Sequence, residues 1–172
     1  MLTALHFLTH IGLSWIAASL GRRSAKDRWL ITLAGVLPDF DGVGILWSED
    51  AYVAAHRAVG HGLVFALAWL VVTVVHADRR QSAAVLGLLC FHLHLLLDLV
   101  GTGGLPIRYF WPFSERGWSY AGRWTLASWP NAIVMSLTLL GVLWVGWRTS
   151  RSHARGRGSE AARRAPRTTT GR

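Results

Sequence analysis

Hydrophobic residues occur in five segments along the chain, separated by short polar stretches. The segments cover residues 2–20, 29–47, 61–75, 83–100 and 129–147. A helix needs about 20 mostly apolar residues to cross a bilayer, and most of these segments approach that length. Segment two is interrupted by Leu37-Pro38-Asp39-Phe40-Asp41-Gly42, so its first part, Trp29 to Leu37, would rise only about 14 Å as a helix. The pattern predicts an all-α fold, a polytopic membrane helical bundle of about five hydrophobic segments.

The composition supports a membrane protein rather than a soluble domain. Of the 172 residues, 52% are hydrophobic and 16% are charged, with a mean hydropathy of +0.32. A soluble domain carries roughly 25% charged residues. The single cysteine, Cys90, excludes a disulfide framework and a zinc site built from cysteines, and we expect it in the core.

The net charge of +9 depends mostly on the C-terminal tail. Eight arginines lie between Arg148 and Arg172, in a stretch that has almost no hydrophobic residues. Such a stretch cannot bury enough apolar surface to fold. We therefore predict two regions: a transmembrane helical domain at 1–147 and a disordered, Arg-rich cytoplasmic tail at 148–172. We do not expect nucleic acid as a partner of the nearly neutral first region, but it remains open for the tail.

Basic residues are concentrated in alternate connections between the segments. Four follow segment one (Arg22, Arg23, Lys26 and Arg28), two follow segment three (Arg79 and Arg80), and the tail follows segment five. The other connections carry only Arg57, Arg108, Arg116 and Arg123. Cytoplasmic loops are rich in Lys and Arg, which predicts a multi-pass protein of the plasma (inner) membrane with its N-terminus outside and its C-terminus in the cytoplasm. A re-entrant segment two would change this parity.

Histidine and aspartate residues cluster at the outer ends of four segments. The set comprises His6 and His10 in segment one, Asp39 and Asp41 in segment two, His56, Arg57 and His61 before segment three, and His94 and Asp98 in segment four. Both pairs in segments one and four are four residues apart, which places each pair on one helix face. Ionisable residues near the membrane interior are costly and usually functional. We therefore expect them to converge on one outward-facing site.

Nitrogen and oxygen ligands without cysteine suit Zn²⁺, with Mn²⁺ or Fe as alternatives. Up to three histidines and three aspartates exceed what one catalytic ion needs, so the sequence allows one or two ions. A catalytic metal site leaves a position open for water and lowers the pKa of that water towards about 7. Arg57 could bind an anionic oxygen such as that of a phosphate.

Structural explanations exist for each of these residues taken alone. His6 could bind only backbone, Asp39 could belong to an aspartate-rich turn, and His94 with Asp98 could be a polar clamp between helices. His92 faces another side of its helix from His94 and is expected to be structural. The choice between His6 and His10 as a ligand stays open. Because the whole set is predicted to lie on the same, outer side of the membrane, we favour a metal site.

The order of these motifs resembles that of the membrane-bound metal-dependent hydrolases, also described as LexA-binding, inner-membrane-associated hydrolases. The motifs are Thr9-His10, Leu37-Pro38-Asp39-Phe40-Asp41, His56-Arg57-x-x-x-His61, His94-x-x-x-Asp98 and then Gly104 and Trp111-Pro112. They span residues 9–113. The family is grouped with zinc-dependent phospholipases C and related nucleases, which bind metal through His and Asp residues on helices.

The resemblance implies roles for individual residues. It assigns metal binding to His10, Asp39, His61, His94 and Asp98, with Asp41 and His56 as second candidates. Arg57 would hold the anionic substrate or orient a ligand, and we expect His56 and Arg57 to act in catalysis. The family usually has Thr and Ser around the second histidine of the His-Arg motif, whereas this chain has Gly60-His61-Gly62. Loss of these hydroxyls removes hydrogen bonds that could support the ligands.

Three functions are compatible with this pattern. The first is a metal-dependent hydrolase in which an activated water attacks a phosphoester or related ester of a lipid or small molecule at the membrane surface. The second is a non-enzymatic membrane scaffold with a structural polar or metal-binding cluster, whose basic tail recruits anionic lipid or a cytoplasmic partner. The third, a metal transporter, requires polar residues at successive depths, and segment five offers only Ser136 and Thr138 after Asn131 near its start. We favour the hydrolase.

Overall fold

The computed structural model describes residues 2–21, 23–102 and 104–164, and the side chains of these ranges between residues 5 and 151. Within them the regular structure is helical: α1 (Leu2–Ser19), α2 (Ala25–Ala34), a 3₁₀ helix η1 (Leu37–Leu46), α3 (Glu49–Ala55), α4 (Leu63–His76), α5 (Arg80–Gly101) and α6 (Trp129–Arg164). A single antiparallel bridge joins Ile107 to Trp118 in the α5–α6 connection. The predicted all-α class is confirmed.

Local sequence signals define several of the helix ends. Ser24 and Ser48 precede α2 and α3, and each hydroxyl accepts a hydrogen bond from the backbone N–H three residues later. Serine is favoured at this position because it satisfies an N–H that has no partner inside the helix. Pro38 stands at the start of η1, where its missing N–H costs nothing. Segment two is broken as predicted, because α2 and η1 meet at an angle of 57°.

By length and composition, the structure supports two or three membrane crossings rather than clearly five. α5 and residues 129–151 of α6 each qualify, and the bent pair α2–η1 would be a third. α4 has 14 residues and therefore rises only about 21 Å. α1 is not among the qualifying helices; it carries the polar residues Thr9, His10 and Ser14 within its 18 residues.

α6 continues through Arg164, past residue 148 where the disordered tail was predicted to begin. Adding residues to an existing helix is much easier than starting one, and Ala and Arg are good helix formers. Near the end of the apolar part, the guanidinium groups of Arg148 and Arg151 lie 5.4 and 3.9 Å from the ring centres of Trp144 and Trp147. Residues 165–172 of the predicted tail lie outside the described residues.

Small residues allow the helices to approach closely around α5. One buried cluster contains Ala18, Ile31, Ala77, Ala83 and Cys90, and confirms Cys90 as a core residue. A second contains Ala66, Phe91, Leu95 and Ile107. In membranes, where apolar surface alone gives little driving force between helices, such close packing supplies much of the attraction. The two clusters fix α5 against α1, α2 and α4, so that its C-terminal end lies among their polar residues.

Candidate metal centre

The last two turns of α5 form the centre of a buried polar cluster. His94 and Asp98 are 1% and 3% exposed and lie on the same face of α5. Two helices and one connecting segment bring their side chains to this face: His6 and His10 from α1, Asp39 and Asp41 from η1, and His56, Arg57 and His61 from the α3–α4 connection. The convergence expected from the sequence is therefore present in the fold.

Asp39, His61, His94 and Asp98 form what we call the four-ligand group. Nε2 of His61 lies 3.3 Å from Oδ2 of Asp98 and 3.4 Å from Nε2 of His94. Nε2 of His94 lies 3.5 Å from Oδ1 of Asp39. Ligands of a tetrahedral Zn²⁺ with bonds of about 2.0–2.1 Å are separated by about 3.3 Å. These four side chains could therefore hold one metal ion.

His6, His10 and Asp98 form a second, three-ligand group beside the first. Nε2 of His6 lies 3.1 Å from Oδ1 of Asp98 and 3.0 Å from Nε2 of His10. Nε2 of His10 lies 3.3 Å from the same carboxylate oxygen. The choice between His6 and His10 is therefore not exclusive, because both face the cluster. The spacing of four residues between them was the signal for this arrangement.

Hydrogen bonds fix which nitrogen of His94 and His61 faces the four-ligand group. Nδ1 of His94 donates to the carbonyl oxygen of Gly35 at 3.0 Å. A carbonyl can only accept, so a neutral His94 has its free lone pair on Nε2. Gly35 reaches this position because it has no side chain: a Cβ there would lie 1.8 Å from Oγ of Ser14. Nδ1 of His61 likewise donates to Asp41, at 3.0 Å. Ligating histidines usually have such a partner on the other nitrogen.

Asp41 lies outside both groups, although it was predicted as a ligand. Its Oδ2 accepts hydrogen bonds at 3.0 Å from the backbone N–H of Arg57, the backbone N–H of Gly60 and Nδ1 of His61. Its Oδ1 accepts from Nδ1 of His56 at 2.8 Å. Gly60 is required here, since a Cβ would lie 2.2 Å from the carbonyl oxygen of Pro38. Asp41 thus organises the whole connection from residue 56 to residue 61.

Arg57 is buried and holds Asp98 in place. Its backbone adopts the left-handed conformation, with φ of 62°. Nη2 lies 3.2 Å from Oδ2 of Asp98 and also donates to the hydroxyl of Thr102, while Nη1 donates to the carbonyl oxygen of Leu105 at 2.6 Å. The hydroxyl of Thr102 in turn donates to the carbonyl oxygen of Asp98 at 2.9 Å. These contacts, which the sequence did not predict, connect Arg57 to the segment after α5.

A cavity of about 540 Å³ opens over the cluster. Its walls include His6, Phe7, Asp39, Tyr52, His56, Arg57, Asp98, Thr102 and Leu126. The ring of His56 stacks on that of Tyr52 with their centres 4.6 Å apart. The cavity has the size of a small-molecule site, which is usually about 300–1,000 Å³. A substrate in it would contact side chains of both ligand groups.

The electrostatics of the cluster favour a positive charge between its carboxylates. Burial by itself lowers the pKa of His61, but its hydrogen bonds to Asp41 and Asp98 outweigh burial and raise this pKa to about 9. Opposite charges close to a group favour its charged form. A cation is therefore stabilised at this point despite the lack of solvent.

His92 and His76 do not join the cluster. His92 is exposed; its Nδ1 donates to the carbonyl oxygen of Leu88 at 2.8 Å, and Nε2 lies 2.9 Å from the hydroxyl of Tyr109. The structural role predicted for it agrees with these contacts. His76 is the last residue of α4, at the opposite end of this helix from His61.

Comparison with known proteins identifies the family but not the reaction. The family model described as YdjM inner membrane protein matches residues 1–159. No curated protein matches the chain, and no solved structure does. The match covers nearly all of the helical part, including every residue of the cluster, and it agrees with the apolar helices in indicating a membrane location. The chain belongs to the YdjM inner membrane protein family.

Proposed function

We propose that the protein is a membrane-bound metal-dependent hydrolase that cleaves a phosphoester or related ester at the membrane surface. The observation that carries this proposal is the spacing of the four-ligand group. Its contacts of 3.3, 3.4 and 3.5 Å agree with the ligand separations expected around one tetrahedral ion. The adjoining cavity gives a substrate access to the same side chains.

The ligand atoms select the kind of metal. Two imidazole nitrogens and two carboxylate oxygens suit Zn²⁺ best, and Mn²⁺ or Fe²⁺ would also be accepted. When bound, such an ion would supply Lewis acidity, and a water added to the four protein ligands as a fifth ligand would have its pKa lowered towards about 7. The protein contributes two imidazoles whose Nδ1 atoms are held by Gly35 and Asp41, so that each directs Nε2 at the ion.

His56 is suited to proton transfer. Asp41 holds its Nδ1 at 2.8 Å, which leaves Nε2 to release or accept a proton. His56 also lies in the wall of the cavity, stacked on Tyr52. We assign it the protonation of the leaving group, the usual role of a histidine held by a carboxylate.

Arg57 contributes charge and position. Its guanidinium keeps Oδ2 of Asp98 in place and lies in the cavity wall, where its positive charge would attract an anionic phosphoryl group. Its second role is structural, because its bonds to Thr102 and Leu105 connect the α3–α4 connection to the segment after α5.

The surroundings of the cavity favour a substrate at the membrane interface. Large apolar side chains are exposed in the neighbouring segments: Trp47 at 75%, Phe113 at 83% and Trp129 at 74%. Aromatic residues are enriched where a membrane protein meets the lipid headgroups. With the N-terminus outside, as the distribution of basic residues predicts, this surface would face the outer leaflet. Lipid phosphoesters and small phosphoesters are therefore the substrates to test.

Metal analysis of purified protein tests the proposal. Inductively coupled plasma mass spectrometry should find Zn²⁺ or Mn²⁺ in the wild type, and much less in His94→Ala and in Asp98→Ala. His92→Ala, a histidine change on the same helix away from the cluster, is the matched control and should keep the metal. Hydrolysis of a chromogenic phosphodiester and of phospholipid vesicles should follow the metal content. Equal metal content in all four proteins would reduce the cluster to a polar clamp between helices and overturn the proposal.

A further inference from the structure

The carboxylate of Asp98 has different partners on its two oxygens. Oδ2 lies 3.3 Å from Nε2 of His61 and belongs to the four-ligand group. Oδ1 lies 3.1 Å from Nε2 of His6 and 3.3 Å from Nε2 of His10, in the three-ligand group. A single carboxylate thus stands between two sets of ligand atoms.

Hydrogen bonds alone cannot satisfy the three-ligand group. The two Nε2 atoms and Oδ1 of Asp98 lie 3.0, 3.1 and 3.3 Å apart, as a closed triangle. If both histidines carry a proton on Nε2, two N–H donors face each other at 3.0 Å. If only one of them does, the other directs a lone pair at the carboxylate oxygen. With Asp98 ionised, one side of the triangle therefore always joins two groups of the same kind.

A cation removes this conflict, because all three atoms can direct a lone pair at it. The triangle also has the dimensions of one face of a tetrahedral site, whose edges are about 3.3 Å for Zn²⁺. Three protein ligands leave the fourth position free, which is the arrangement of catalytic rather than structural sites. Both histidines come from one helix face, so α1 supplies a preformed chelate.

We propose that His6, His10 and Asp98 bind a second divalent cation and that Asp98 bridges it to the ion of the four-ligand group. The inference rests on the proposed function for the first ion. Paired ions about 3.5–4 Å apart bind the attacking and leaving oxygens of a phosphoryl group together. The pair therefore favours phosphoesters as the substrates of the proposed hydrolase.

The second ion is the more weakly held of the two. Nδ1 of His10 is buried and finds no hydrogen-bond partner among the residues that the structure describes, unlike Nδ1 of His94 and of His61. Loss of such a supporting bond typically weakens metal binding about 10–100-fold. The side chain of His6 is also 12% exposed, at the cavity. A chelator should therefore remove the second ion first.

Counting the ions tests the inference. Detergent-purified wild type loaded with Zn²⁺ and freed of excess metal should contain two equivalents, His6→Ala one, and the control His92→Ala two. Wild type loaded with Mn²⁺ should show the electron paramagnetic resonance of a coupled pair, and this measurement needs no variant to fold. One equivalent in the wild type, or an uncoupled Mn²⁺ signal at full loading, would overturn it.

The count is independent of the reaction. Two ions without hydrolysis would support the second site and contradict the proposed function. One ion with hydrolysis would do the reverse. In titrations with a chelator, the His6→Ala protein should lack the first, weaker step of metal release and keep the second.

Discussion

The two ends of α5 each hold a buried aspartate, and the two carboxylates have opposite surroundings. At the start of α5, Asp27 of α2 is 0% exposed and accepts hydrogen bonds from the backbone N–H groups of Asp78 and Arg79, at 2.7 and 3.1 Å. A helix N-terminus favours negative charge. Asp27 thus has its charge stabilised by backbone groups that cannot lose a proton or exchange for a ligand.

At the other end, Asp98 lies one turn before the C-terminus of α5, where the helix dipole disfavours a negative charge. Its oxygens face His6, His10, His61 and Arg57 rather than backbone amides. Imidazole nitrogens can accept a proton or a metal. Burial of a carboxylate therefore does not by itself mark a functional site. What marks it is the kind of group that neutralises the charge of the carboxylate.

Asp98→Asn should have the largest effect in this comparison. The amide keeps the shape but removes the negative charge shared by both ligand groups, so we expect affinity for Zn²⁺ to fall by at least about 100-fold, the upper end of what loss of a supporting partner costs. Competition with a fluorescent chelator measures it. Retention of wild-type affinity would place Asp98 with Asp27, as a structural residue.

Asp27→Ala should destabilise the fold instead. The backbone N–H groups of Asp78 and Arg79 lose their buried acceptor, at about 1–3 kcal/mol each, so the free energy of unfolding should fall by about 2–6 kcal/mol. Thermal unfolding in detergent measures this loss. The fraction that remains folded should bind as much metal as the wild type. Metal loss without destabilisation would contradict the assigned role.

Asp41→Asn should lower the metal affinity by an amount between those expected for Asp98→Asn and Asp27→Ala. Its amide nitrogen would oppose one of the donors that Asp41 now accepts from, so the orientation of His61 should loosen while the ligand itself remains. We expect metal affinity to drop about 10–100-fold, with a wild-type circular dichroism spectrum. The matched control is Asp50→Asn, an exposed acid at the start of α3. Equal affinities in the two variants would remove Asp41 from the support of the site.

Lys26→Ala should have the smallest effect. Lys26 forms an ion pair with Asp78 next to the Asp27 contacts, and the hydrogen bond from Lys26 lowers the pKa of Asp78. Both side chains are about half exposed, so solvent screens the pair. The unfolding temperature and the metal content should equal those of the wild type. A large drop in the unfolding temperature would show that the exposed pair, and not the buried carboxylate, holds this end of α5.

Much of the cluster could be predicted from spacing. His94 and Asp98 share a helix face because they are four residues apart, and the distribution of basic residues placed Asp39, His61 and His10 on the same side. The structure places Asp39, His61, His94 and Asp98 in one ligand group, and His10 in a second group that shares Asp98. The break in segment two was also predictable, because Pro38 and Gly42 stand inside it.

The rest depended on tertiary contacts that no local pattern carries. Asp41 looks identical to Asp39 in the sequence, and only the fold turns it towards the backbone of Arg57 and Gly60. His6 could not be distinguished from a structural histidine until Oδ1 of Asp98 was found beside it. By length and composition, the described helices support two or three crossings and not clearly five, because α4 has only 14 residues and α2 and η1 form one bent pair.

The Trp–Arg pairs at the end of the apolar part of α6 fix the depth at which this helix lies in the membrane. The guanidinium groups of Arg148 and Arg151 lie over the rings of Trp144 and Trp147. An apolar ring paired with a charged group is most stable at the level of the lipid headgroups. From Trp129 to Trp147 the helix rises about 27 Å, close to the roughly 30 Å of a hydrocarbon core. A bilayer of different thickness would therefore shift Trp129, three residues after Leu126 of the cavity wall, relative to the phosphates.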